Sequence, residues 1–478
     1  MKTEPADFKS PAGFKPLTWW QAALLVMAAA TCFHAAYTSL HPGLLALLIV
    51  GYVVCVVQLA RLRTTRQSFY TGLLTGFLCF APQLEFFWRI FGPAAIALWA
   101  IMALWLALFI ALSHVAMLRL GPRRALWLVP FLWTGLEYFR SELYYLKFSW
   151  LNVGYGLSDW KYPIFQFVGV YGAGFCAAAC AALLLQPRLK WLALCGATFI
   201  FASSILFGSI TYVQRPPNLQ IAGIQLEFPN ESQVKRALDN LIEARTNLDL
   251  IVLSEYTLDE PPSEQLKQWC RDRQKFLIVG GKEPAPNNNF YNTAFVISTN
   301  GEIVFKQVKS VPIQFFKDGL PALEQNLWNS PWGKIGICIC YDLSYTRVTD
   351  ELVRQGAQML IVPTMDMAEW GRHQHELHAR IAPVRAAEYG LPIFRVASSG
   401  ISQGVNRFGI VQASTSFPGD GEMIFFGVNL KQAGSLPLDR YLAPVSVCVT
   451  GVFVIWLVIS GRNKRAVKTQ ITTPQTPA

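Results

Sequence analysis

Hydrophobic positions fall into two regimes along the chain. Through about residue 213, and again near the end, apolar residues run on in long stretches with little charge, as helices that cross a bilayer do. These stretches lie near 18–38, 42–60, 69–87, 93–118, 125–139, 162–186, 191–212 and 442–461, the fifth being the shortest. Between about 217 and 434 the pattern changes to short β-branched runs punctuated by Gly, Pro and Asn, none able to span. Strand-like runs are Leu219–Glu227, Leu248–Glu255, Phe276–Gly280, Thr293–Ser298, Glu302–Lys309, Lys334–Tyr341, Met359–Pro363 and Ile393–Ser398. Helical periodicity appears over 231–246, 263–273, 344–356 and 371–389, and Pro383 should kink or end the last of these. Strands and helices thus alternate as in an α/β layered fold.

The layout that follows is a 1–17 tail, a transmembrane helical domain over 18–213 with about seven helices, a folded domain over 217–434, a last membrane helix over 442–461, and a disordered 462–478 tail. No convincing internal repeat is present. The first apolar stretch follows some 17 polar residues and is about 20 long, unlike a cleavable signal peptide.

Composition agrees with this division. Of 478 residues 53% are hydrophobic and only 15% charged, against about 25% charged in soluble domains, which argues against an all-soluble enzyme and against a disordered chain. The net charge of +11 would suit a nucleic-acid partner if it lay on one face. Instead, Lys/Arg clusters at Lys2, Lys9 and Lys15, Arg61 to Arg66, Arg119 to Arg124, Arg188 with Lys190, and Arg462 to Lys468 fall at alternate loops. With a cytoplasmic N-terminus and eight crossings, all of them lie inside, and the 217–434 domain lies outside. No nucleic-acid partner is expected. Of the 10 cysteines, seven sit in apolar stretches, which leaves Cys270, Cys338 and Cys340 for chemistry.

Three strand ends carry candidate chemistry. The run Lys334 to Cys340 is apolar and leads into a helix-like stretch, so the Cys340 thiol faces a helix N-terminus. There its pKa is lowered and nearby N–H groups can receive an oxyanion; otherwise Cys340 is a buried strand cysteine. Cys338 shares its strand face and is read as core. The wholly apolar Ile251–Leu253 runs through Ser254 to Glu255, a general base for the thiol or a carboxylate leaving the sheet for solvent. The run from Gly301 delivers Lys309, an oxyanion stabiliser or a solvated lysine, with Lys306 as its substitute if the register slips. His373, His375 and His378 crowd one helix, but their spacing is not that of a metal site. His375 is read as a wall residue near the active site. Glu85 with Arg89, and Glu137 with Arg140, are read as pairs that fix helix packing or meet a head group.

The order Glu255, Lys309, Cys340 on three strand ends resembles the nitrilase, or carbon–nitrogen hydrolase, superfamily. Leu253-Ser-Glu255, Tyr291-Asn-Thr-Ala294 with Gly301 and Lys309, and Ile339-Cys-Tyr-Asp342 are similar to that superfamily's three catalytic segments. The membrane helices narrow the resemblance to its membrane branch, the apolipoprotein N-acyltransferases. Leu132 to Arg140, Phe148 to Tyr155, Val168 to Gly172, Trp370-Gly371, Gln374-His375, Arg385 to Glu388 and Ser399 to Ser402 are words of that branch.

The resemblance implies a polytopic helical bundle carrying an extracytoplasmic nitrilase-like αββα sandwich on the bacterial inner membrane. It implies Glu255, Lys309 and Cys340 as catalytic residues, with Tyr341, Asp342, Trp370 and His375 around them. Cys340 would take an acyl chain from a membrane phospholipid as a thioester and pass it to the N-terminal amine of a diacylated lipoprotein, with no metal or cofactor and as a monomer. An amidase, an N-acyltransferase with another acceptor, an inactive membrane binding or assembly protein and a transporter are the alternatives. The chain departs from the branch where Ser310-Val-Pro-Ile-Gln-Phe-Phe316 replaces a word ending in a second active-site glutamate; Asp318 and Glu324 are the acids that remain nearby. Gln307, Ser254 and Asp342 stand where tyrosine, proline and glutamate are common.

Overall fold

The computed structural model describes residues 14–37, 47–158, 164–192, 196 and 216–471, with side chains as far as 460. Most of the expected span over 191–212 with Cys195, the start of the 42–60 span, Lys2, Lys9 and residues 472–478 lie outside the described residues, whereas 462–471, expected to be disordered, continue the last helix.

The first half is helical: α1 (Trp19–Tyr37), α2 (Leu48–Leu59), α3 (Thr65–Gln83), α4 (Phe86–Phe91), α5 (Ala94–Leu120), α6 (Pro122–Tyr138), a π turn over Phe139–Leu143, α7 (Val153–Gly156) and α8 (Ile164–Leu184). Among the described helices, α1, α5, α8 and the last helix are long and apolar enough to cross a membrane. Pro122 opens α6 at its first turn, where a missing N–H costs nothing. The short α4 was not evident in the sequence, because it straddles the end of the 69–87 stretch and the gap before the next one. Leu84 leaves helical geometry there, and the chain turns before Phe86.

The second half holds two six-stranded sheets. One is built from β1 (Leu219–Ile224), β2 (Leu250–Leu253), β3 (Phe276–Ala285), β4 (Asn289–Ile297), β5 (Ile303–Val308) and β12 (Met423–Val428), in the order β12-β1-β2-β3-β4-β5. The other is built from β6 (Leu327–Ser330), β7 (Gly333–Ile337), β8 (Met359–Thr364), β9 (Ile393–Ala397), β10 (Gln403–Val405) and β11 (Val411–Ser414), in the order β11-β10-β9-β8-β7-β6. In each, three parallel central strands are flanked by antiparallel ones. All eight expected strands are present. The unforeseen ones, β6, β10, β11 and β12, are edge or near-edge strands whose short, mixed sequences lack the buried-run signal.

Side-chain alternation explains the layers. Leu219, Ile221, Leu250, Val252 and Ile278 face Ile335, Ile337, Met359, Ile361 and Val396 across the sandwich. Ala222, Ile224, Ile251 and Leu253 point outward under α9 (Glu231–Ala244) and α10 (Glu264–Arg273). The opposite outer face, with α11 (Thr346–Arg354) and α13 (Ile381–Tyr389), belongs to the same apolar cluster as the membrane helices: Leu352, Ile381 and Val384 are continuous with Val170 and Tyr171 of α8. The sandwich is therefore seated on the helical bundle by one of its helical layers.

The helix expected over 371–389 is two, α12 (Arg372–Ala379) and α13, broken at Arg380. Pro383 is the reason: it has no N–H to bond the Ala379 carbonyl, and its ring crowds that carbonyl. The chain ends in α14 (Asp439–Ile471). Its Arg440 binds Asp350 at 2.8 Å and Glu388 at 2.9 Å, tying the last helix to the sandwich. Glu137 and Arg140 do not pair with one another. Glu137 accepts from Val153 N–H at 2.8 Å, and Arg140 donates to Asn152 and Met102, so both hold neighbouring elements in place.

Candidate active site

Cys340, Glu255 and Lys309 meet at the same ends of their strands. Glu255 follows β2 by two residues, and its close seat requires Gly280 on β3, where a Cβ would lie 2.7 Å from the Glu255 Cα. Lys309 immediately follows β5, with its N–H donating to the Asn292 carbonyl at 2.8 Å. Lys306, three residues earlier, is instead exposed and pairs with Glu283 at 2.6 Å, so the register places Lys309 inside.

Cys340 lies three residues beyond the end of β7, at φ +52°, and opens a one-turn 3-10 segment. This differs from the expected arrangement in two ways. The α-helix begins only at Thr346, so Cys340 does not sit on an α-helix N-terminus. Because the strand stops at Ile337, Cys338 and Cys340 no longer share a face: Cys338 packs toward the helical layer and Cys340 toward the sandwich interior. Cys338 is wholly buried, as a core residue should be.

Lys309 Nζ lies 2.8 Å from Glu255 Oε1 and 2.7 Å from Asp318 Oδ2, with all three side chains nearly inaccessible. Asn292 donates to Glu255 at 2.6 Å and to Asp318 at 3.2 Å, and Met365 N–H donates to Glu255 Oε2 at 2.8 Å. Asp318 also accepts from the Tyr256 hydroxyl at 2.6 Å and Ile313 N–H at 2.7 Å. Of the two acids left open by the sequence, the structure selects Asp318; Glu324 is exposed. The Cys340 thiol approaches the Met365 carbonyl at 3.7 Å.

Burial pushes the Glu255 pKa up; the Lys309 ammonium opposes this and the Asp318 carboxylate adds to it. Burial also works against ionised Asp318, but Lys309 outweighs it and holds that carboxyl below its usual range. Lys309 itself is kept firmly cationic, because Asp318 and Glu255 outweigh its own desolvation. Burial, reinforced by Glu255, raises the Cys340 thiol well above its ordinary value. This overturns the expectation of a lowered thiol pKa: the missing α-helix terminus and an apolar, anion-bearing surround keep the sulfur protonated. Such a thiol needs a base beside it, and Glu255 is that neighbour.

Asp342 does not face the cavity. It accepts from Ser310, Val311 and Ile339 N–H at 2.7–3.2 Å, locking the turn of Cys340 to the strand end of Lys309. Cys340 opens onto a cavity of about 110 Å³ between the sandwich and the membrane helices. Phe86, Phe87, Phe91 and Trp150 wall its membrane side, and Tyr341 and Trp370 its sandwich side.

His375 is not on that wall, contrary to expectation. It bonds the Met367 carbonyl at 2.9 Å and packs on Phe417. Gln374 and His378, one helical turn apart, are the α12 residues that line the cavity, and His375 projects from another face. Asn292, Asp366 and His378 were not singled out for the site from sequence. Asp366 carried a signal like that of Glu255, an acid two residues after a largely apolar strand. Among the described residues no cluster of metal-ligating side chains occurs.

Comparison with known proteins agrees with this architecture. Residues 29–183 match the apolipoprotein N-acyltransferase N-terminal domain, and residues 220–420 match the carbon-nitrogen hydrolase family. The apolipoprotein N-acyltransferase of Geobacter metallireducens is 22% identical over 78% of this chain and 83% of its own. That of Shewanella oneidensis is 23% identical over 73% and 79%. Among solved structures, a carbon-nitrogen hydrolase from Helicobacter pylori is 19% identical with a TM-score of 0.40, covering 44% of this chain and 89% of that one. With both domains matched in this order, and with relatives aligned along most of their length, the chain belongs to the apolipoprotein N-acyltransferase family.

Proposed function

We propose that the protein transfers an acyl chain from a membrane phospholipid to the N-terminal amine of a diacylated lipoprotein, through a thioester on Cys340. The observation that carries this reading is the placement of Cys340, with Glu255 and Lys309 behind it, on an apolar cavity walled partly by membrane helices. Glu255 takes the thiol proton as sulfur attacks the ester carbonyl, and Lys309 steadies the oxyanion that forms. The ester C–O bond breaks, and Glu255 returns the proton to the leaving lysophospholipid oxygen. The acceptor amine then attacks the thioester, and the thiol is regenerated. Asp318 serves as the second acid, Tyr341 and Trp370 border the acyl chain, and Asp342 positions the nucleophile turn.

A single chain supplies every one of these groups, so we read it as active as a monomer. The Lys/Arg loop pattern supports an inner-membrane protein with its sandwich on the periplasmic side. Intact mass spectrometry after incubation with phosphatidylethanolamine of known chain length tests the reading. Wild type gains one acyl chain and Cys340→Ala gains none; absence of the adduct in wild type refutes it.

A further inference from the structure

Next to the nucleophile lies a second polar cluster that the proposed reaction does not use. His378 Nδ1 is 2.8 Å from Asp366 Oδ1, and Gln374 donates to the same oxygen at 3.0 Å. The other carboxylate oxygen is bound by Arg395, and the Asp366 backbone is held by Ser398 and Ser399. Burial disfavours ionised Asp366, but His378 and Arg395 outweigh it and hold the carboxyl well below its usual range. Arg395 also approaches Nδ1, at 3.1 Å, but the shorter contact at 2.8 Å is to the Asp366 carboxylate, which only accepts, so we place the ring proton on Nδ1 and the lone pair on Nε2. Burial keeps the imidazole neutral, with Arg395 working in the same direction against the opposing Asp366.

The ring is fixed by stacking on Trp150, with centroids 4.6 Å apart and planes 16° from parallel. His378 lines the cavity that holds Cys340, it is 2% exposed, and its Nε2 has no hydrogen-bond partner. A buried acceptor without a donor costs free energy that a ligand N–H would recover. Around its ester carbonyl a phospholipid offers no such donor. The acceptor brings an α-ammonium with three.

We infer that His378 receives the α-ammonium of the acceptor and takes its first proton in the second half-reaction, an inference that rests on the function proposed above. One ammonium N–H breaks as Nε2 gains the proton, and the freed lone pair forms the N–C bond at the thioester carbonyl. The C–S bond then breaks, the second amine proton passes through Glu255 to the Cys340 sulfur, and the imidazolium releases its proton to solvent. Asp366 and Arg395 act through His378 as positioning residues.

The test measures the half-reactions separately in the full chain: acylation of Cys340 by phosphatidylethanolamine, then discharge to a lipopeptide with a diacylated N-terminal cysteine. His378→Asn keeps a donor near Asp366 and deletes Nε2. It is expected to acylate like wild type but to discharge slower by about 100-fold. Equal loss in both steps would mean that His378 only shapes the site or contacts the donor, and unchanged discharge would mean that it is idle; either overturns the inference. If His378→Asn does not fold, His378→Gln is judged by the same two rates. Wild type that forms no adduct overturns the proposed function, and this inference with it.

Discussion

Asp318 offers the sharpest test of how the site is tuned. Its carboxylate and that of Glu255 contact one ammonium at 2.7 and 2.8 Å, so the two oxygens are at most about 5.5 Å apart, and at an effective dielectric of about 20 such charges repel by about 3 kcal/mol. That repulsion adds to burial in raising Glu255, against the lowering effect of Lys309. Asp318→Asn removes it while keeping the volume. The pKa of Glu255 then falls, so the acid limb of Cys340 acylation, which rises as Glu255 deprotonates, moves to lower pH. The plateau falls as well, by about tenfold or more, because a weaker base faces a thiol whose own pKa is raised. Rates of adduct formation by mass spectrometry across pH 4 to 9 measure both quantities. An acid limb that stays in place or moves upward would refute the coupling.

Two further outcomes follow from the ion pairs. Lys306→Ala should change stability by less than about 1 kcal/mol and leave acylation unchanged, since its pair with Glu283 is solvent-exposed; a loss of acylation there would reassign the lysine. Arg440→Ala strands Asp350, Glu388 and Asp439 without their shared cation and should cost about 3–5 kcal/mol, lowering the thermal midpoint by on the order of 10 °C. A midpoint within a degree of wild type would show that α14 is held by packing alone.

Much of the molecule was legible in the sequence because its signals are local. Apolar runs mark membrane helices, short buried runs mark the central strands, and the ends of strand-like runs marked Glu255, Lys309 and Cys340. What stayed hidden depends on segments far apart in the chain. Asp318 lies on an irregular loop with no periodicity, and only the return of that loop beside Tyr256 and Asn292 brings it to Lys309. His378 rather than His375 reaches the cavity because of helical phase, which Pro383 helps set by ending α12 at Ala379. The raised thiol pKa required knowing that β7 stops at Ile337 and that Cys340 turns inward at positive φ. Strand-end chemistry is written in sequence, since a central strand is buried on both faces and the residue that closes its apolar run is a local signal. Charge, protonation and the choice among neighbouring candidates belong to the tertiary structure, because Coulomb and desolvation energies depend on distances in space rather than along the chain.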